Sequence, residues 1–301
     1  MDQVIKALAH QGRIRILVAN TTELVRYAQR IHETYPTASA ALGRLLSVTA
    51  IMGSMLKNKE DQITCTIRGD GPLIKTTAIS NSKGQLKGYV VEPSVQFINK
   101  QTKKLDVAKA IGRGTLEVIK DMGMKHSFVS SVDLVSSEIG EDFAQYFTVS
   151  EQTPSAVSVG VLVGEDNQVL SAGAIVIQMM PDAQEEDILA AEHVIKNLKP
   201  VSTIFNEGQD AKNVARSLFS DVDILDAQPL QYHCDCSFKR IRSGLKMIDV
   251  VDLKDMLIED EQAEVICHFC KEKYVFDKHE LAEIIKEKIE FDENKRNKPS
   301  I

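Results

Sequence analysis

Four of the chain's five cysteines fall between positions 234 and 270, as Cys234-Asp235-Cys236 and Cys267-His268-Phe269-Cys270. No other feature limits so sharply what this part of the chain can fold into. Two close pairs separated by a long loop are what a tetrahedral structural metal site requires. Each pair sets two sulfurs on one side of the ion, and the loop brings the pairs together. Both pairs are complete and no cysteine of the module is left over, so the spacing points to one Zn²⁺ per chain, held by Cys234, Cys236, Cys267 and Cys270. His233 and His268 adjoin these residues and leave a mixed histidine–cysteine set open. Four thiolates around Zn²⁺ carry a net charge of −2 and need N–H donors and cations nearby. Lys239, Arg240, Lys271 and Lys273 are at hand. The opening MDQVIKALAHQGRIRIL has early charges and no apolar signal region, so the clustered cysteines read as metal ligands or redox thiols, not as a disulfide framework. Cys65 stands alone in a strand-like run and reads as a small buried hydrophobe.

A length of 301 residues predicts roughly two domains. The run from Val157 to Met180 is the richest in apolar residues, but Glu165 and Asp166 interrupt it, so no membrane span is expected. A net charge of −7 argues against a nucleic-acid binder, which needs a basic footprint.

The pattern along the chain predicts an α+β fold in four parts. Residues 1–180 read as an antiparallel-sheet domain with packed helices. Its strands are expected at Val4–Ala9, Arg13–Asn20, Gln62–Arg68, Leu73–Ser80, Leu86–Val91, Thr115–Lys120, Ser127–Leu134, Ser155–Val163 and Val169–Ile177. Helices are expected after the candidate caps Thr21 and Thr22, over Thr37–Lys57, and near Asp142–Phe147. The second of these is rich in Ala, Gly, Leu and Met and is expected to be buried. Residues 181–226 hold ten acidic and four basic side chains, a balance of −6 that is nearly all of the chain's charge. Breaks at Lys199-Pro200 and Asn206-Glu207-Gly208 divide this stretch into amphipathic helices, a linker weakly stable alone. Residues 227–290 form the small C-terminal cysteine module, and 291–301 a flexible tail. A module this small rarely gains more than about 3–5 kcal/mol from its core. Structural zinc supplies about 10–16 kcal/mol of apparent folding energy, so the metal is expected to brace the module.

Two rival functions follow from the cysteines. A zinc ribbon could bind nucleic acid, but residues 227–280 carry eight Lys/Arg against eleven Asp/Glu, a balance of −3 that opposes phosphate contacts. A zinc enzyme keeps three protein ligands and an open position, whereas four cysteines close the site, so no enzyme and no catalytic residue is expected. Three smaller signals are rejected. Ser80-Asn81-Ser82-Lys83 has no partner motifs. Gly112-Arg113-Gly114 lacks the third glycine of a dinucleotide loop. The sequon Asn20-Thr21-Thr22 has no meaning without export.

Beyond the cysteines, almost the whole chain resembles the Hsp33 family of redox-regulated chaperones. The resemblance rests on Ala41-Leu42-Gly43-Arg44, Arg68-Gly69-Asp70-Gly71-Pro72, Gly84–Val90 (GQLKGYV), Gly112–Leu116 (GRGTL), Tyr146–Ser155 (YFTVSEQTPS), Gln178–Pro181 (QMMP) and both cysteine pairs. Two departures are Ala172-Gly173-Ala174, where the family shows paired glycines, and His268, a less common insert. The resemblance implies a cytoplasmic, ATP-independent holdase, inactive when reduced and zinc-bound. Oxidants would form the disulfides Cys234–Cys236 and Cys267–Cys270 and release zinc. The module and linker would then unfold, the protein would form a homodimer, and exposed apolar surface would capture unfolding client proteins. The acidic stretch 181–226 is expected to contribute to that surface and to keep the opened state soluble.

Overall fold

In the computed structural model, which describes residues 1–296, the alternating N-terminal run folds as a hairpin. Strands β1 (Gln3–Ala9) and β2 (Ile14–Asn20) pair antiparallel around a tight turn at His10–Gly12. Helices α1 (Thr22–His32) and α2 (Pro36–Ser54) follow. Thr21 occupies the cap position of α1, but its hydroxyl bonds to Ser47 Oγ at 2.6 Å. The Asp2 carboxylate accepts the first-turn N–H groups of Glu23 and Leu24 instead, at 3.2 and 2.6 Å.

A meander of β3 (Gln62–Gly69), β4 (Lys75–Asn81) and β5 (Gln85–Val90) comes next. After it run α3 (Val107–Ile111), β6 (Gly114–Asp121), β7 (Phe128–Asp133), α4 (Gly140–Val149), β8 (Ser155–Val163) and β9 (Val169–Met179). The chain continues through α5 (Glu185–Asn197), α6 (Val201–Asn206) and α7 (Ala211–Leu218) to β10 (Asp223–Pro229) and β11 (Gln231–Tyr232). The helix breaks fall at the two places expected from Pro200 and Gly208. Short α3 and edge strands β10 and β11 were not foreseen; β10 is polar and, among the described residues, pairs only with β1, so it lacks the apolar alternation that marks a buried strand.

Strands β1–β11 form two sheets, in the orders β10-β1-β2-β9-β8 and β11-β5-β4-β3-β6-β7. Pairing is antiparallel except for β11 on β5. Helix α2 packs against both sheets, and every one of its residues except Arg44 is buried. Small side chains make this possible. A Cβ on Gly43 would lie 2.6 Å from Val25 and 2.7 Å from Val161. The other face of the five-stranded sheet, with Ile5, Ile14, Ile16, Val18, Ile175 and Ile177, is covered by α5–α7 through Ala191, Val201, Phe205, Val214 and Leu218. Helix α6 reaches closest over the facing glycines Gly160 and Gly173. A Cβ on Gly173 would sit 2.2 Å from the Phe205 ring. The fold class is thus the expected α+β, with sheets, packed helices and a small C-terminal unit.

The chain divides into two compact units between His233 and Cys234, seven residues beyond the expected start of the module at 227. Residues 227–233 stay with the first unit because β10 pairs with β1, β11 pairs with β5, and the His233 N–H donates to Leu86 O at 2.7 Å. Helices α5–α7 belong to that unit too.

The second unit holds α8 (Phe238–Leu245), α9 (Val250–Glu259), the hairpin β12 (Ala263–Ile266) and β13 (Lys273–Phe276), and α10 (Lys278–Arg296). Its core is small: Leu245, Leu253, Ala263, Phe276, Leu281, Ile284 and Ile285. The Arg242 guanidinium bonds Glu287 at 2.8 and 3.0 Å and ties α8 to α10. Of the tail expected from Phe291, residues 291–296 continue α10, and residues 297–301 lie outside the described residues.

Candidate metal centre

The cysteine pairs meet because one precedes α8 and the other spans the turn of the β12–β13 hairpin. Ser237 caps α8, its hydroxyl accepting the Arg240 N–H at 3.3 Å, so Cys234 and Cys236 sit just before the helix start. In the hairpin turn, Cys267 N–H donates to Glu272 O and Lys271 N–H to Cys267 O, both at 2.9 Å. Lys271 holds a left-handed φ of 62°, a conformation that favours glycine.

All four sulfurs lie within 4.8 Å of one another. Cys234 Sγ is 3.7 Å from Cys267 Sγ, and Cys236 Sγ is 3.2 Å from Cys270 Sγ. A tetrahedron of sulfurs at the usual Zn–S distance has an edge of about 3.8 Å, so the donor set and its spacing fit such an ion. The group consists of cysteines alone, with neither His233 nor His268 in it.

Hydrogen-bond donors surround the sulfurs, chiefly from the backbone. Burial pushes the Cys234 thiol up to about 11, against the Cys236 N–H that favours its thiolate. Burial raises Cys270 as well, against the N–H of Glu272. At Cys267 burial is overcome by the N–H groups of Cys270 and Phe269, which with neighbouring thiols lower it. The Tyr274 hydroxyl donates to Cys236 Sγ at 3.1 Å. Of the cations expected beside the centre, Arg240 pairs with Asp235 and Lys273 with Glu264. The donors to the sulfurs are main-chain N–H groups, which residue types do not reveal, and Tyr274, which the residue pattern did not single out. Its place two residues before Phe276 on a short strand was the available signal.

Cys65 is fully buried in β3, its sulfur 3.9 Å from Met52 Sδ, and burial pushes its thiol up to about 12. It stays neutral and outside the centre.

Fold and site together define a two-unit α+β protein with four cysteines positioned to hold a metal ion and a large sheet domain with no part in that group. The Hsp33 protein family model matches residues 2–277, and the chain belongs to the Hsp33 family. It is 42% identical over 283 residues to the 33 kDa chaperonin of Bacillus subtilis, covering 93% of this chain and 97% of that one. It is 43% identical over 286 residues to the 33 kDa chaperonin of Geobacillus kaustophilus, covering 94% and 97%. The crystal structure of the 33 kDa chaperonin from Thermotoga maritima superposes with a TM-score of 0.88 at 35% identity, over 96% of this chain and 99% of that one. The family is, by name, one of chaperones. No helix among the described residues is long and apolar enough to cross a membrane.

Proposed function

We propose that this chain is an ATP-independent holdase chaperone, not an enzyme, switched on by oxidation of Cys234, Cys236, Cys267 and Cys270. The observation that carries the reading is the convergence of four sulfurs within 4.8 Å in a unit with so small an apolar core. One bound Zn²⁺ would supply the positive charge and the cross-link which that core does not provide. The remaining chemistry belongs to the cysteines. A thiolate attacks a peroxide oxygen: an S–O bond forms, the O–O bond breaks, and the departing hydroxide takes up a proton. A second thiolate then attacks the oxidised sulfur: the S–S bond forms, the S–O bond breaks, and the departing hydroxide takes up a solvent proton as water, leaving a disulfide. Two rounds, joining Cys234 to Cys236 and Cys267 to Cys270, consume all four ligands and release the metal.

With its brace gone, the C-terminal unit unfolds, and the 181–226 segment loosens in turn. This would uncover the apolar face formed by Ile5, Ile14, Ile16, Val18, Ile175 and Ile177 beneath α5–α7, the kind of surface that holds an unfolding client. The oxidised form acts in the cytoplasm as a homodimer, without nucleic acid or membrane. The test is direct. Oxidise the reduced, metal-loaded protein with peroxide at a mildly raised temperature. Follow zinc with a chromogenic chelator, count thiols, and measure suppression of a model client's aggregation. The reading requires loss of four thiols and one zinc, together with a gain in suppression; oxidation without that gain removes it.

A further inference from the structure

We propose that Tyr274 is a positioning residue that restrains the nucleophilicity of Cys236 and so sets the oxidant threshold of the centre; this rests on the redox reading above. The contact is short and direct, the phenol oxygen lying 3.1 Å from Cys236 Sγ. It is also fixed from two sides. Tyr274 pairs with Val265 across the hairpin, which sets its place along β13. Phe276, two residues on and therefore on the same face of the strand, is fully buried. It stacks on Phe238 with ring centroids 4.5 Å apart. Phe238 is itself only two residues from Cys236. The core contact that seats β13 thus also sets the distance from the hydroxyl to the sulfur.

The consequence follows from the attack step. As Cys236 adds to a peroxide, its lone pair forms the S–O bond, the O–O bond breaks, and the sulfur loses its negative charge. A hydrogen bond to that charge is strongest before attack and is lost as the charge leaves. Tyr274 therefore stabilises the resting thiolate more than the transition state and slows its oxidation. Losing an outer partner of a metal centre typically costs about 10–100-fold in metal affinity or activity, and Tyr274→Phe removes only the donor.

The experiment uses full-length, metal-loaded protein and two readouts. In the first, zinc release under excess peroxide is timed. Tyr274→Phe should release it about tenfold faster. In the second, iodoacetamide labels the reduced protein for short times and mass spectrometry reads each cysteine separately. Labelling of Cys236 should rise selectively while Cys234, Cys267 and Cys270 stay within about twofold. A uniform rise at all four, the mark of a merely loosened module, overturns the proposal, as does unchanged Cys236 labelling. Should Tyr274→Phe fail to load metal, fluorotyrosine placed at 274 supplies a stronger donor in the same ring and should slow Cys236 labelling; no slowing overturns the proposal. The labelling arm needs no oxidant. If wild-type protein keeps its zinc in peroxide, the redox reading fails while the effect of Tyr274 on Cys236 is still measured.

Discussion

At the scale of single residues, the proposed zinc site should depend on each sulfur separately. Cys270→Ser leaves three thiolates and a weaker oxygen donor. Zinc affinity should fall by more than the roughly 10–100-fold that losing an outer partner costs, and competition with a chelator measures this. Replacing Arg240 or Lys273 would be uninformative, because both already face carboxylates. Gly173 is sensitive for a different reason. A Cβ there would meet the Phe205 ring at 2.2 Å and Ala19 O at 2.5 Å. Gly173→Ala should destabilise the first unit by about 1–3 kcal/mol through overpacking, read from the urea midpoint. The sequence marked this site only as a departure, Ala172-Gly173-Ala174 in place of paired glycines. The structure gives the retained glycine its reason, which is the approach of α6.

At the scale of elements, one carboxylate ties the start of α5 to the N-terminal hairpin. Asp187 is buried at the start of the helix. It accepts from Arg13 Nε at 2.7 Å, from His10 Nδ1 at 2.7 Å and from the Gln184 N–H at 2.8 Å. The Arg13 guanidinium, then the Gln184 N–H and the His10 ring, hold its carboxyl well below the usual carboxylate range. A depressed folded-state value gives stability that is fully present above the unfolded value of about 3.9 and lost as pH falls through the folded one. Protection of the α5 amides against hydrogen exchange should therefore be flat near neutrality and decline below about pH 4. Asp187→Asn should speed exchange about tenfold near neutral pH and flatten the acid decline.

How much of each element was legible depended on where its partners lie. The strands of residues 1–180 and the helix breaks at Pro200 and Gly208 are local matters of alternation and backbone chemistry, and they could be read directly. The cap of α1 could not, since its acceptor is Asp2, twenty-two residues before Leu24. Nor could β10, whose polar run becomes a strand only because β1 offers it an edge. The four cysteines were legible because ligand type and spacing are themselves the chemistry. The main-chain donors around them were not.

At the scale of the whole molecule, the two units differ in what sustains them. The first encloses α2 between two sheets and carries a second apolar layer under α5–α7. The second has, among the described residues, a core of seven buried apolar residues. Structural zinc contributes about 10–16 kcal/mol to folding, against about 3–5 kcal/mol from a core of that size. Chelation of the reduced protein should thus abolish amide protection from Cys234 onward while β2, β3 and β9 remain protected. Calorimetry should show a lower transition that vanishes with chelator and an upper one that persists. A single transition that chelator leaves in place would show that the C-terminal unit stands without metal.

The strand β11 has a consequence for how far the molecule can reach. The His233 N–H is bonded to Leu86 O, and the next residue is the first of the four cysteines. About 70 residues from there to the end of the sequence are thus anchored at one fixed point on a sheet. Folded, a chain of that length has a radius of gyration of about 11 Å; unfolded, about 25 Å. Unfolding of the unit, as proposed, would enlarge the volume it sweeps about tenfold. Opening would turn a compact lobe into a leash, holding the unfolded chain at a high local concentration near its tether without any rise in the number of molecules.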